Sequence, residues 1–295
     1  MSFGLGEAAS LACALLWAVA TISLKRAGET IPAFELNLCK NVGIALLLIP
    51  PILLFEANVF TDFTPRATLL LLLSGLIGVC LADWLLLASL QYLGAGRNAI
   101  LDCLYSPFVI LFAYLHLGEV LTLTLLLGAG LVVTGILAAT LFDRRSDSVK
   151  DLPRGLACGI ASMVAMAAGI VMAKPILENA PIYAASELRM LAGAGGGLLG
   201  IILTRKTRSF LAQLSSPAFP HLRIWVGVCL PAFFAMCLWI LGYRLIDAST
   251  ASILNQTSTF FILALAALFL GERLTAPKLL GALLAFAGIG VITFA

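Results

Sequence analysis

Two basic residues lie inside apolar stretches of the chain, Lys40 in ELNLCKNVGIALLLIPPILLF and Arg189 in IYAASELRMLAGAGGG. At the centre of a bilayer such a cation costs about 2.5–3.5 kcal/mol unless it faces water or a partner. One interpretation is that both cations face a cavity and attract a carboxylate or phosphate group. The alternative is structural. Lys40 would then meet Asp83 or Asp102, and Arg189 would meet Glu187 or another acid.

Two further apolar stretches carry polar stripes. Asn98, Asp102 and Tyr105 fall at positions i, i+4 and i+7 of one stretch, and Asn255 and Thr259 fall four residues apart in another. This spacing places each set on one face of a helix. A polar face on an apolar helix turns away from lipid, either to line a cavity or to bond a neighbouring helix. All five residues are therefore candidate substrate contacts, and Asp102 can also bind a proton or a substrate amine.

Asp83 and Trp17 complete the candidate site. An intramembrane carboxylate is functional by default, so Asp83 and Asp102 are the candidates for proton coupling, although Lys40 could neutralise Asp83. Trp17 and Trp239 lie well inside apolar stretches, where an aromatic ring either stacks on a substrate or fills the core.

The elements that must position these residues are apolar runs of about 20 residues, each long enough to cross a hydrocarbon core of about 30 Å. Hydrophobic residues make up 61% of the 295 residues and charged residues 11%, whereas a soluble domain is about 25% charged. Because only helices satisfy their own backbone in lipid over such lengths, the sequence predicts an all-α membrane protein. Its ten predicted transmembrane helices span 5–24, 34–54, 68–89, 97–116, 121–141, 155–173, 182–204, 224–243, 249–270 and 277–294.

The ten predicted helices form two sequence repeats. A shift of 149 residues aligns Lys25 with Lys174 and Lys40 with Arg189, and a shift of 153 residues aligns LGEVLT at 117–122 with LGERLT at 270–275. We therefore expect a first five-helix repeat at 1–142, a basic linker at 143–154 and a second repeat at 155–295. Because five helices per repeat is an odd number, the second repeat enters from the opposite face, and the repeats are inverted.

The doubled order of these motifs resembles the EamA family of the drug/metabolite transporter superfamily. The resemblance rests on an early cation in the second helix of each half and on the LGE-x-LT motif after each fourth helix, and it covers essentially the whole chain. It implies ten helices around a central cavity and the export or exchange of small metabolites, including amino acids. We read Glu119 and Glu272 of the LGE motifs as caps or interhelix locks at tight turns.

The sequence therefore predicts a secondary transporter that exports or exchanges an amino acid or organic anion by alternating access. Its expected location is a bacterial plasma (inner) membrane, with the lipid bilayer and a small-molecule substrate as partners and protons as a candidate coupling ion. The alternatives are a flippase for a lipid-linked or polyprenyl-phosphate substrate and a non-transporting membrane scaffold or sensor. No catalytic, nucleotide-binding or metal-ligand motif is evident, so we expect no enzyme activity, cofactor, metal or nucleic acid.

Loop charge predicts the orientation. The loops after the odd-numbered predicted helices hold 13 of the 18 Lys and Arg residues. By the positive-inside rule this side faces the cytoplasm, which places both termini outside. The family resemblance implies the reverse, with cytoplasmic termini.

Overall fold

The chain folds into a bundle of apolar helices. A computed structural model describes residues 4–56, 63–117, 122–141, 151–177, 180–246 and 254–293, and the described residues contain no strand. The apolar helical segments are α1 (Leu5–Ala27), α2 (Ala33–Phe55), α3 (Pro65–Leu93), α4 (Ala95–His116), α5 (Leu123–Leu141), α6 (Leu152–Leu177), α7 (Ile182–Leu203), α8 (Arg223–Cys229 and Leu230–Leu245), α9 (Leu254–Leu270) and α10 (Ala276–Thr293).

The predicted membrane class is confirmed. Seven of these helices are long and apolar enough to cross a membrane, namely α1, α2, α3, α4, α6, α7 and α8. Over their described residues α5, α9 and α10 are apolar but shorter. That all ten segments cross the membrane stays a prediction.

Two matching helices contain a π-helical segment, which the sequence did not predict. In α3 it covers Leu76–Leu81, and in α8 it covers Arg223–Cys229. Pro231 follows the second segment, as the second residue of the α-helical part of α8. The missing N–H of Pro231 accounts for a local break in α8. Ala82 follows the segment in α3, so proline is not the shared cause. Such π segments often mark functional positions of a helix.

The glycines of α5 and α10 bring these helices into close antiparallel contact. A methyl group placed on Gly135 would lie 2.8 Å from the backbone nitrogen of Ala285, and one on Gly288 would lie 2.8 Å from that of Val132. Gly135 faces the backbone of Gly281, and Gly288 faces that of Gly128. The 153-residue shift converts one contact into the other. The glycine-containing stretches around Gly128 and Gly281 predict small-residue faces for close helix packing, and the structure shows that these faces meet each other.

Some predicted features lie outside the described residues. They include Glu119, residues 143–150 of the predicted linker and residues 249–253 of the ninth predicted helix. The last part of the predicted linker is helical, because α6 begins at Leu152. Between α7 and α8, a short helix, Thr207–Leu214, inserts Phe210 into a small apolar cluster with Leu38 and Ile201.

Candidate functional site

A cavity of about 270 Å³ lies between helices of both halves of the chain. Its polar and aromatic walls come from α1, α4, α8 and α9, and two methionines of α6 close another side. Lining residues are Trp17, Leu86, Ala99, Asp102, Tyr105, Met163, Met166, Trp239, Asn255, Gln256, Ser258, Thr259 and Ile262. An adjoining cavity of about 250 Å³ shares Trp17, Trp239, Asn255 and Ser258 with it. Five predicted site residues, Trp17, Asp102, Tyr105, Asn255 and Thr259, therefore meet in one place.

Both polar stripes lie where their helices lose regular α-helical bonding. In α4 a 3₁₀ segment, Asp102–Leu104, interrupts the helix, and the Tyr105 N–H donates to the Asp102 carbonyl. In α9 the turn falls at Thr257, whose N–H and hydroxyl both donate to the Leu254 carbonyl, at 3.2 Å and 2.5 Å. Because the 153-residue shift places Leu104 on Thr257, the two breaks are equivalent.

Asp102 is one of the residues that line the cavity. The side-chain amide of Asn98 donates to it at 3.5 Å, at the long limit of a hydrogen bond. Asn98 itself is 2% exposed and does not belong to the lining. Asn98 therefore lies behind Asp102, and its direct contact with a substrate stays a prediction.

Asn255 has an unsatisfied side chain. Its amide nitrogen and oxygen are both buried, and neither has a hydrogen-bond partner among the described residues. Buried polar groups of this kind are rare in native structures and call for an explanation. Since Asn255 lines both cavities, its donor and acceptor are available to a ligand.

Thr259 both lines the cavity and joins two helices. Its hydroxyl donates to the Ala99 carbonyl at 3.3 Å and lies 3.7 Å from the sulfur of Cys103. The two alternatives for a polar stripe, lining a cavity and bonding a neighbour, therefore apply together at this position.

Lys40 forms an ion pair with Asp83, with the two side chains only 6% and 14% exposed. The adjacent Asn37 donates to the carbonyls of Val79 and Cys80 at 3.1 Å and 3.0 Å. Asn41 also donates to Val79, at 3.3 Å. These bonds satisfy carbonyls of the π segment in α3. The polar residues of α2 therefore join it to α3, which is the structural alternative expected for Lys40.

Arg189 lies against the same π segment. A methyl group on Gly78 would be 3.4 Å from the guanidinium, and one on Gly75 would be 2.7 Å from the Arg189 Cα, so small residues make room for α7. The negative charge of Asp83 favours the cationic form of Arg189. Neither Lys40 nor Arg189 belongs to the described lining of the cavity.

Glu272 acts as the cap predicted for the LGE motif. Its two carboxylate oxygens accept the backbone N–H groups of Ala95 and Gly96, at 2.6 Å and 3.0 Å, at the beginning of α4. The ammonium of Lys278 lies 3.7 Å from the same carboxylate. Glu272 therefore ties the end of α9 to the start of α4.

Sequence reasoning missed several lining residues, among them Met163, Met166 and Ser258. Alignment of the two sequence repeats could have identified them. The 149-residue shift places Ala14 on Met163 and Trp17 on Met166, and the 153-residue shift places Tyr105 on Ser258. All of these residues line one of the two cavities.

Comparison with known proteins gives a family and a fold. The sequence model of the EamA-like transporter family matches residues 4–141 and again residues 153–294. No curated protein matches the chain. A solved structure, described as the crystal structure of a protein, matches 98% of this chain and 96% of its own, at a TM-score of 0.67 and 15% identity. At that identity the likeness concerns the fold alone. Because the family model covers nearly the whole chain in two copies, the chain belongs to the EamA-like transporter family, a family of membrane transporters of small solutes.

Proposed function

We propose that the protein is a secondary transporter that exports or exchanges a small polar metabolite, an amino acid or organic anion, across a bacterial plasma (inner) membrane. The central cavity is the observation that carries this proposal. It lies between the two halves and reaches α4 and α9 where their helical bonding breaks. In transporters built from inverted repeats, substrate sites lie at the repeat interface beside such discontinuous helices.

The packing of matching helices supports an inverted relation between the repeats. Asn41 lies beside Gly193 and Phe34 beside Gly200, so α2 and its counterpart α7 run antiparallel. The paired glycine contacts give the same direction for α5 and α10. A twofold axis in the membrane plane reverses each counterpart in this way, and many alternating-access transporters have this symmetry.

The two ends of the bundle differ, as expected for a site that opens to one side at a time. At the end where α1 finishes, Lys25 donates to the carbonyls of Leu90 and Gln91, at 2.8 Å and 3.2 Å, and Glu272 caps α4. The adjoining cavity lies nearer the other end, because Cys13 comes from the first half of α1 and Asn255 from the first turn of α9, whereas the main cavity also reaches Ala99 near the start of α4. We infer that the polar contacts at the first end form a gate.

The buried charges suggest roles behind the cavity wall. The Lys40–Asp83 pair and Arg189 would set the charge around the site without touching the substrate. Asp102 interacts electrostatically with Asp83, so a proton or a ligand on one carboxyl would affect the other. Asp83 and Asp102 thus stay the candidates for proton coupling.

The test is counterflow in liposomes that contain the purified protein, with each radiolabelled amino acid and with succinate. We expect exchange of at least one solute above that of protein-free liposomes. Trp239→Ala should slow this exchange at least tenfold, because Trp239 lines both cavities. The matched control is Trp225→Ala on the same helix. Trp225 is 40% exposed, close to the 42% of Trp239, but does not belong to either lining.

Exchange of none of these solutes would contradict the proposed function for this substrate class. Equal slowing by Trp239→Ala and Trp225→Ala would place the substrate away from the cavity.

A further inference from the structure

We propose that the cavity selects a small amine with an apolar or aromatic body, and that the ammonium group, rather than a carboxylate, carries the recognition. This inference rests on the proposed function and names the substrate class of its site. It departs from the expectation that Lys40 and Arg189 bind the negative end of a substrate.

The charge of the cavity wall favours a cationic ligand. Among the described residues that line the two cavities, Asp102 is the single Asp, Glu, Lys or Arg. Lys40 is occupied by Asp83, and Arg189 lies at the α3–α7 contact. A carboxylate that entered would lose water and find an acid instead of a cation, which is costly. An ammonium would instead find a carboxylate whose one hydrogen bond from Asn98 is long.

The aromatic side chains of the cavity wall also favour a cationic ligand. Trp17 and Trp239 reach the cavities from α1 and α8, and both line both cavities. Tryptophan is the aromatic side chain that best attracts a cation to its face. Met163 and Met166 add flexible apolar surface to the same cavity, which adapts to ligand bodies of different shape.

The unsatisfied side-chain amide of Asn255 offers an ammonium group a further hydrogen-bond partner. Its oxygen can accept one N–H of an ammonium, while Asp102 accepts another. The same ligand would then satisfy the Asn255 amide, which has no hydrogen-bond partner among the described residues, and the Asp102 carboxylate, whose bond from Asn98 is long. The amide nitrogen of Asn255 stays available to a second polar group of the ligand, so an amino acid is accepted without its carboxylate being required.

The volume limits the size of the ligand. The main cavity holds about 270 Å³, below the roughly 300–1,000 Å³ that is usual for drug-sized ligands. A metabolite of amino-acid size fits this space.

The experiment compares phenethylamine with 3-phenylpropionate, two probes that share an aromatic body and differ in their charged end. Binding to the purified full-length protein is measured by quenching of Trp17 and Trp239 fluorescence. Trp84→Phe and Trp225→Phe remove the other two tryptophans, which lie outside both linings. We expect saturable quenching by phenethylamine and at least tenfold weaker binding of 3-phenylpropionate.

Variants at Asp102 test whether a loss of binding comes from the lost negative charge or from misfolding. Asp102→Asn should weaken phenethylamine binding at least tenfold, while Asp102→Glu, which keeps the charge, should lose less. Asp151→Asn is the control, because Asp151 lies at the start of α6, outside both linings, and pairs with Arg154 at the surface. Thermal unfolding of each variant checks that it is folded.

Tighter binding of 3-phenylpropionate, equal binding of both probes, or no binding of phenethylamine would overturn the inference. So would unchanged phenethylamine binding in folded Asp102→Asn. Counterflow with radiolabelled phenethylamine, run beside the amino acids and succinate, keeps the two proposals distinct. Selective amine binding without exchange would leave the substrate class standing and contradict transport, whereas exchange of succinate but of no amine would contradict the substrate class alone.

Discussion

At the residue scale, the surroundings of Lys40 explain how a charge is tolerated inside an apolar helix. Asp83 neutralises the ammonium, and Asn37 and Asn41 bond the π-segment carbonyls beside it. The sequence offered Asp83 and Asp102 as partners, and the structure selects Asp83. Because Asp83 pairs with Lys40, the charge available to the cavity is that of Asp102.

The Lys40–Asp83 pair predicts a non-additive effect on stability. Lys40→Met should lower the unfolding temperature markedly, because removing one partner of a buried pair costs about 3–5 kcal/mol. Lys40→Met combined with Asp83→Asn should recover most of this loss, since no uncompensated charge remains. Thermal unfolding of the purified proteins measures both effects. A double variant as unstable as the sum of its single variants would show that the two side chains act independently.

At the element scale, the helices are held together by glycine contacts and by capping across helix ends. The first four N–H groups of a helix lack intrahelical partners, so α4 depends on Glu272 for two of them. The glycines of α5 and α10 let two backbones meet. Each contact is specific to one helix face, which makes it testable with a control on the same helix.

Glycine faces predict a sharp contrast on α5. Gly135→Ala should destabilise the protein by about 1–3 kcal/mol, as is usual for overpacking, because its methyl group would lie 2.8 Å from the Ala285 backbone nitrogen. Gly130→Ala should be neutral or stabilising by up to about 1 kcal/mol through helix propensity, since no atom lies within 4 Å of its methyl position. Thermal unfolding compares the two, and similar losses would contradict this α5–α10 contact.

The Glu272 cap predicts a local change in hydrogen exchange. In Glu272→Ala the amides of Ala95 and Gly96 lose their acceptor, at about 1–3 kcal/mol for each buried group left unpaired. Exchange of the peptide that contains them should accelerate at least tenfold, measured by mass spectrometry. Glu29→Ala is the control, an exposed acid at the same end of the bundle. Unchanged exchange in Glu272→Ala would remove the proposed gate contact.

At the scale of the whole molecule, orientation depends on the distribution of loop charge. Two cations of the richer side, Arg97 and Lys278, are 3% and 1% exposed, so they belong to the α4–α9–α10 junction rather than to open loops. Without them that side still holds 11 Lys and Arg residues against 3 on the other, by the sequence assignment of loops. The bias therefore does not depend on buried charges.

The charge bias predicts that both termini lie outside the cytoplasm. C-terminal fusions to two reporters measure this, one active only in the cytoplasm and one active only outside it. We expect activity from the second. Activity from the first alone would show that the orientation implied by the family resemblance is the correct one.

The sequence by itself determined the membrane class, the doubled organisation and the residues able to do chemistry. Long apolar runs require helices in lipid, and the shifts that align Lys40 with Arg189 and Asp102 with Asn255 reveal the repeat. The cap at Glu272 and the glycine faces also follow from local sequence, because caps and small-residue contacts have short signatures.

Only the tertiary structure decided which polar side chains meet. The helices are apolar nearly all round, so their sequence periodicity does not fix how each one is rotated. A π segment adds a residue to a turn, and one residue turns every later side chain by about 100°. The segments Leu76–Leu81 and Arg223–Cys229 therefore reset the faces of α3 and α8 that carry Asp83 and Trp239. Asp83 consequently pairs with Lys40, while Asp102 and Asn255 line the cavity. Contacts between helices depend on how the helices pack, and spacing along the chain does not determine this packing.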